Sequence, residues 1–227
     1  LGPDHPKVAS SLNNLGSLCL TMREDDAAGV HLRQGLAICE RDGIVGTRGY
    51  ILSNLTELAL RAGDLAAAES HAGHAIEVAT ASGNRAVLSW VKTKVARLAV
   101  RRGDNDAARS ALAEGLSVAL ELGSPSLKFN AVESFAELLS AQGEVSCARR
   151  VLTYAADHPT ASAPVRDEIR RRLETLPAVV NATPPWPGLE LDDLLHRIVV
   201  ESNVAHASLI ATLRAFGFGV DPVGAVV

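Results

Sequence analysis

The residues of this chain that could do chemistry are few and scattered. His71 and His74 stand three apart, close to Glu69, a spacing that metal ligands on one helix can use. His71, however, falls 40 residues after His31, which reads instead as a recurring surface position. Asp192-Asp193 with His196 would set carboxylates and an imidazole on one helical turn; acidic residues there also suit a helix N-terminus. Glu133 and Glu137 are an i, i+4 carboxylate pair. Acid and base roles would need pKa values driven apart by burial, and a solvated or ligand-facing pair is the better reading. Cys19, Cys39 and Cys147 form no C-x-x-C pair and read as small apolar residues in a reducing compartment. Nothing resembles G-x-x-x-x-G-K-[ST], and no G-x-G-x-x-G follows a strand. The glycines of the Phe216–Pro222 tail have no helix pattern after them to receive a phosphate. The expectation is a chain without catalytic, metal or cofactor site, and not an enzyme.

Composition narrows the classes further. Hydrophobic residues make up 47% of the 227, aromatics only 4%, so a core must be built from Ala, Leu and Val in closely packed helices. A net charge of −4 lacks the basic excess that drives nucleic-acid binding. No apolar run of about 20 residues is present, so no membrane span is expected, and a cytoplasmic location follows. The chain opens on Leu1 inside a repeat motif and reads as a fragment of something longer.

The repeat decides the fold. Gly43, Gly83 and Gly123 are spaced by 40, as are Gly63, Gly103 and Gly143. Ala28, Ala68, Ala108 and Ala148 keep the step, and so do Leu18, Leu58, Leu98 and Leu138. Glu24, Asp64, Asp104 and Glu144 supply an acidic column, and Gly35, Ala75, Gly115 and Ala155 a second small one. Gly ends a helix where a left-handed residue costs it least. The acidic residue after it can cap the next helix. The repeated Ala lets two helices approach. Ser124-Pro125 offers a Ser N-cap with Pro at the first helical position. First helices are expected at about 6–22, 46–62, 85–102 and 125–142, and second helices at about 25–42, 64–82, 104–122 and 144–157. These give four hairpins (about 4–43, 44–83, 84–123 and 124–163) and a capping helix at 163–176, together an array over 1–176.

These columns resemble the tetratricopeptide pattern: an apolar then a small residue (Leu15-Gly16, Leu55-Thr56, Val95-Ala96, Phe135-Ala136), the Gly turn, and two small columns in the second helix. Residues 1–6 followed by Leu12-Asn-Asn-Leu-Gly16 look like kinesin light chain repeats, and the later 40-residue units look like the C-terminal sensor arrays of bacterial signalling ATPases and transcription regulators. Arg23 departs from the pattern in place of the turn Gly, and Ala, Cys or Leu fill most of the family's aromatic positions. The resemblance implies an all-α, right-handed superhelical solenoid of helical hairpins whose first helices line a concave face.

Carried onto this sequence, it places on that face Ser10, Asn13, Asn14 and Ser17; Tyr50, Ser53, Asn54, Glu57 and Arg61; Trp90, Thr93, Lys94, Arg97 and Arg101; and Asn130, Glu133, Ser134 and Glu137. Their chemistry suits a peptide: amides offer donor and acceptor, Arg and Lys pair with carboxylates, and Tyr50 and Trp90 give flat anchors at one repeat position. The expected function is protein–protein interaction with a protein or peptide ligand, as the sensor or scaffold arm of a larger bacterial signalling protein. The alternative is a small-molecule-responsive regulatory domain, or an accessory segment of an enzyme whose active site lies elsewhere. Lys94, Arg97 and Arg101 would form a positive stripe facing an acidic ligand residue, so that reversing Arg97 and Arg101 weakens binding.

Pro177, Pro184, Pro185 and Pro187, with Trp186 among them, mark a linker over 177–190. A helical pattern resumes over 191–216 within a terminal segment 191–227, with Leu191, Leu194, Leu195, Ile198, Val199, Leu209, Leu213 and Phe216 as its apolar set. So much apolar surface should dock. It could cap the open end of the fourth repeat and the 163–176 helix, pair with a second chain as a homodimer, or fold into the concave groove. Truncation at Pro177 separates these through stability, mass or affinity.

Overall fold

A computed structural model describes residues 6–177 and 190–202. Among these the protein is all-α, with no strand. Its helices are α1 (Pro6–Met22), α2 (Asp25–Asp42), α3 (Val45–Ala62), α4 (Leu65–Ser82), α5 (Arg85–Arg101), α6 (Asn105–Glu121), α7 (Pro125–Ala141), α8 (Val145–Asp157), α9 (Ala163–Thr175) and α10 (Leu191–Ser202). The bounds of α1 to α9 fall within one residue of those read from the repeat. Of the expected 191–216 helix, Leu209, Leu213 and Phe216 lie outside the described residues, as do Pro184, Pro185, Trp186 and Pro187 of the linker.

The chain divides into two compact units, Leu1–Leu98 and Ala99–Val227. In the first, α1 packs on α2, α2 on α3 and α3 on α4, and α1 also lies beside α3. Leu12, Leu32, Ile38, Ile51 and Leu55 form one core cluster. Leu52, Ala72, Ala75 and Val91 form the next, and Ala59, Leu60, Ala68 and Leu98 a third. Small residues set the helix spacing. A Cβ on Gly16 would fall 2.6 Å from Leu32, and one on Gly35 3.1 Å from Ile51 Cδ1 and 3.3 Å from Leu12 Cβ. Any larger side chain there must push neighbours apart.

In the second unit, α6 packs on α7, α7 on α8 and α8 on α9. Phe129, Phe135, Leu138, Leu139, Leu152 and Ile169 are its largest buried side chains beside Leu112 and Leu116 of α6. The sequence pictures the last helix as a separate element; instead α10 packs along α6 and belongs to this unit.

The turns follow the columns. Gly63 (φ 75°) donates to Leu60 O, and Asp64 N closes back on Ala59 O at 3.0 Å, satisfying carbonyls that a helix end leaves open. Asp64 and Asp104 then cap the next helix by accepting from Ala67 N and Ala107 N, each at 2.9 Å. Glu24 and Glu144 make no such side-chain bond, although they fill the same column. Their extra methylene carries the carboxylate past the amide that Asp reaches. Nor does Ser124 cap α7: its hydroxyl pairs with that of Ser126 at 3.2 Å.

Arg23 adopts φ 64° where the other turns have glycine. A side chain in this region costs about 1 kcal/mol or more. Arg23→Gly is therefore expected to stabilise the protein by about 1 kcal/mol in urea unfolding, and an unchanged midpoint would show that the turn carries no strain.

Candidate partner-binding face

The side chains assigned to the inner face meet each other across consecutive first helices, about one repeat apart. In the first unit Asn54 Nδ2 donates to Asn13 Oδ1 at 3.0 Å, and the Ser10 and Thr47 hydroxyls pair at 3.0 Å. One turn along, Lys94 Nζ donates to Ser53 Oγ at 3.0 Å while lying 5.0 Å from the centre of the Trp90 ring, a cation–π distance. Next, Glu57 receives Arg97 at 2.5 Å and Arg61 Nε at 3.2 Å. Arg61 reaches on to Asp25 Oδ1 at 3.0 Å and the Leu20 carbonyl at 2.6 Å.

The second unit repeats the device. Arg101 pairs with Glu137 at 3.4 Å, and Arg172 of α9 bridges Glu133 at 2.9 Å and Glu137 at 3.3 Å. The Glu133/Glu137 pair thus takes part in a structural ion network between α7 and α9. Asp25 and Arg172, both integral to these networks, were missed by sequence reasoning. Asp25 sits on a second helix and Arg172 on the short α9, outside the first-helix positions that the resemblance carried over.

Exposure sorts the candidates. Asn14, Ser17, Tyr50 and Arg101 are exposed; Asn13, Asn54, Glu57, Arg61, Trp90, Asn130, Glu133 and Glu137 are half-buried. Lys94 and Arg97 are buried, at 3% and 6% exposure. They are stitched into the packing of the first helices, so the accessible part of the expected positive stripe is at Arg101. Tyr50, at 37% exposure, is not core, and neither is Trp90.

The isolated motifs resolve in other ways. His71 is half-buried, and burial first, then the neighbouring His74, lowers its pKa below the ordinary value, against an opposing pull from Asp64. Its imidazole therefore favours the neutral form. No group of three or more His, Cys, Asp or Glu among the described residues could hold a metal ion. His196 Nδ1 bonds the Asp192 carbonyl at 2.8 Å, while the Asp192 carboxylate turns to Lys128 at 2.6 Å. Acid and imidazole are thus held by different partners. The three cysteines are buried thiols, and desolvation raises that of Cys39. Among the described residues no helix is long and apolar enough to cross a membrane.

The Asn13–Asn54 pair joins two half-buried amides of neighbouring first helices. Their mutual bond consumes one donor and one acceptor, leaving Asn13 Nδ2 and Asn54 Oδ1 without a protein partner among the described residues. An amide donor beside an amide acceptor matches the C=O and N–H of a single residue in an extended chain, which point to the same side of the strand. Compared with known proteins, the chain matches no family model and no curated protein, so its place among helical-repeat arrays rests on its own columns and on the consecutive packing of its helix pairs.

Proposed function

We propose that this chain is a protein-interaction module that takes an extended peptide or partner segment along its first-helix face and acts by binding, not catalysis. The observation that carries this reading is the Asn13–Asn54 amide pair, with exposed Asn14, Ser17 and Tyr50 as its polar and aromatic surroundings. An amide pair held in place by its own hydrogen bond binds a backbone with little further ordering cost. In the first unit the Glu57 ion pairs with Arg97 and Arg61 hold neighbouring first helices in register, which gives a ligand a fixed surface there. The likeness of the 40-residue columns to tetratricopeptide arrays supports the same use, and with it the role of a cytoplasmic sensor or scaffold arm in a larger bacterial signalling protein.

The test is selection of a displayed random-peptide library on the intact chain. Peptides enriched on the native protein should bind at least tenfold more weakly to Asn13→Ala/Asn54→Ala and to Tyr50→Ala. They should bind Arg109→Ala, which lies on second helix α6, as well as the native chain. Enrichment indifferent to the Asn13, Asn54 and Tyr50 changes would overturn the assignment of this face.

A further inference from the structure

Each first helix carries a stripe at i, i+4 and i+7, which makes one face of a helix. In α3 it is Ile51, Leu55 and Leu58, in α5 Val91, Val95 and Leu98, and in α7 Ala131, Phe135 and Leu138. All nine are buried or half-buried. In the first unit, small residues of the preceding second helix do the covering. A Cβ on Gly35 of α2 would fall 3.1 Å from Ile51 Cδ1, and one on Gly29 3.2 Å from Leu58 Cδ2. Ala72 and Ala75 of α4 share a core cluster with Val91 and Val95, and Ala68 shares one with Leu98. In the second unit α6 packs in the same way on α7.

In α1 the same stripe is Ser11, Leu15 and Leu18, and it faces solvent. Leu15 and Leu18 are 46% and 55% exposed, and Met22, one turn on, is 58% exposed. Ser11 is the polar member. Its hydroxyl donates to the Lys7 carbonyl at 3.4 Å, so it offers a small side chain, close in size to Ala131, with its donor already used. Lys7 lies at the start of the stripe, where the later repeats have Thr47, Val87 and Leu127. The Gly35–Ile51 and Gly29–Leu58 approaches run the covering helix antiparallel to the covered one. A helix seated likewise on α1 brings its C-terminal turn to Lys7, where an ammonium meets open carbonyls favourably.

We propose that this face of α1 is a stacking seat for the second helix of a further hairpin of the same repeat, joined ahead of α1 in one polypeptide. The occupant is an antiparallel helix with Ala or Gly at the positions that Ala68, Ala72 and Ala75 hold on α4. It continues an interface already present twice in the first unit. A second copy has no such helix to offer: Ala28, Ala68, Ala108 and Ala148, the small column of its second helices, are all fully buried. Nor does α1 make a strong pair with another α1. Three half-exposed side chains fall far short of the roughly 800 Å² per partner that stable complexes bury. A helix tethered through a short turn needs far less, because its effective concentration is already high. The stripe is distinct from Asn13, Asn14 and Ser17, so the seat does not rest on the peptide-binding reading.

The experiment adds such a hairpin to the full chain. Residues 44–83 fused directly ahead of residue 4 keep the 40-residue step and set a copy of α4 before α1. Hydrogen exchange of the α1 amides should slow at least tenfold relative to the native chain. Leu15→Glu/Leu18→Glu should remove that slowing. In the native chain, where both side chains already meet water, the same pair should leave α1 exchange unchanged. A second readout needs no buried charge. Cys19, Cys39 and Cys147 are buried, so the thiol of Leu18→Cys is the one open to alkylation. It should react at least tenfold more slowly in the extended chain than in the native one. Equal exchange and equal alkylation in the two chains overturn the proposal, and so does slowing that survives the two glutamates. A native chain of twice the monomer mass that Leu15→Glu/Leu18→Glu returns to monomer overturns it as well, because the occupant is then a second copy.

Discussion

Replacing Glu57 with alanine should cost about 3 kcal/mol of stability, the largest loss expected from any single change on the first-helix face. Glu57 receives both Arg97 and Arg61, and the three side chains are only 13%, 7% and 14% exposed. Its removal leaves Arg97 and Arg61 without their shared carboxylate in a seam where their side chains are 7% and 14% exposed. The contrast with an exposed pair is the test, since such pairs contribute well under 1 kcal/mol. A double-mutant cycle separates the pair from its surroundings. Glu57→Leu with Arg97→Met should be less damaging than the two single changes summed, by about 1 kcal/mol or more. Urea unfolding that shows Glu57→Ala costing less than about 1 kcal/mol would place the network in solvent and remove its role in fixing helix register.

Undocking α10 should lower the pKa of the Tyr154 phenol. Burial first, then the carboxylates of Glu190, Asp193 and Asp192, push its phenol from the ordinary value of 10.0 up to about 12. All three carboxylates belong to the start of α10 or the residue before it. Ultraviolet titration follows the ionisation of the buried Tyr154 as the step near pH 12. In Leu194→Asp/Leu195→Asp the upper step should fall toward 10. The sign for stability follows by linkage. A folded pKa raised above the unfolded one means the folded state holds its proton longer, so the unfolded state releases it first as pH rises. The native chain therefore loses stability between pH 10 and about 12, and the undocked variant loses less over that window. An upper step that stays near 12 in the variant would show that α10 does not set the environment of Tyr154.

The sequence by itself determined the helices and their order. A 40-residue step in Gly, Ala, Leu and acidic columns carries its own local physics: left-handed turn residues, caps, and small residues at close approaches. These act within a few residues of the chain, so α1 to α9 could be placed to within one residue. The resemblance to tetratricopeptide arrays supplied the first-helix positions, several of which face one another across neighbouring first helices. Tertiary structure alone decided what those positions do. Lys94 and Arg97 look in sequence like a free positive stripe, yet Ser53 and Glu57, about a repeat away, draw them into the packing. Burial within a single column depends on whether another helix lies in front of it. Leu18 is 55% exposed, whereas Leu98 and Leu138 in the same column are 5% and 1% exposed. The seat of α10 was hidden for the same reason. Its apolar face announces that it must dock, but a face says nothing of its partner. The sequence does record a change at Leu120, a large apolar residue where the same column holds Glu40 and Thr80, although Leu116 only repeats Leu36 and Ile76. That change acquires a meaning only when α10 is seen lying along α6, because shape and charge complementarity belong to a pair of surfaces and not to either one alone.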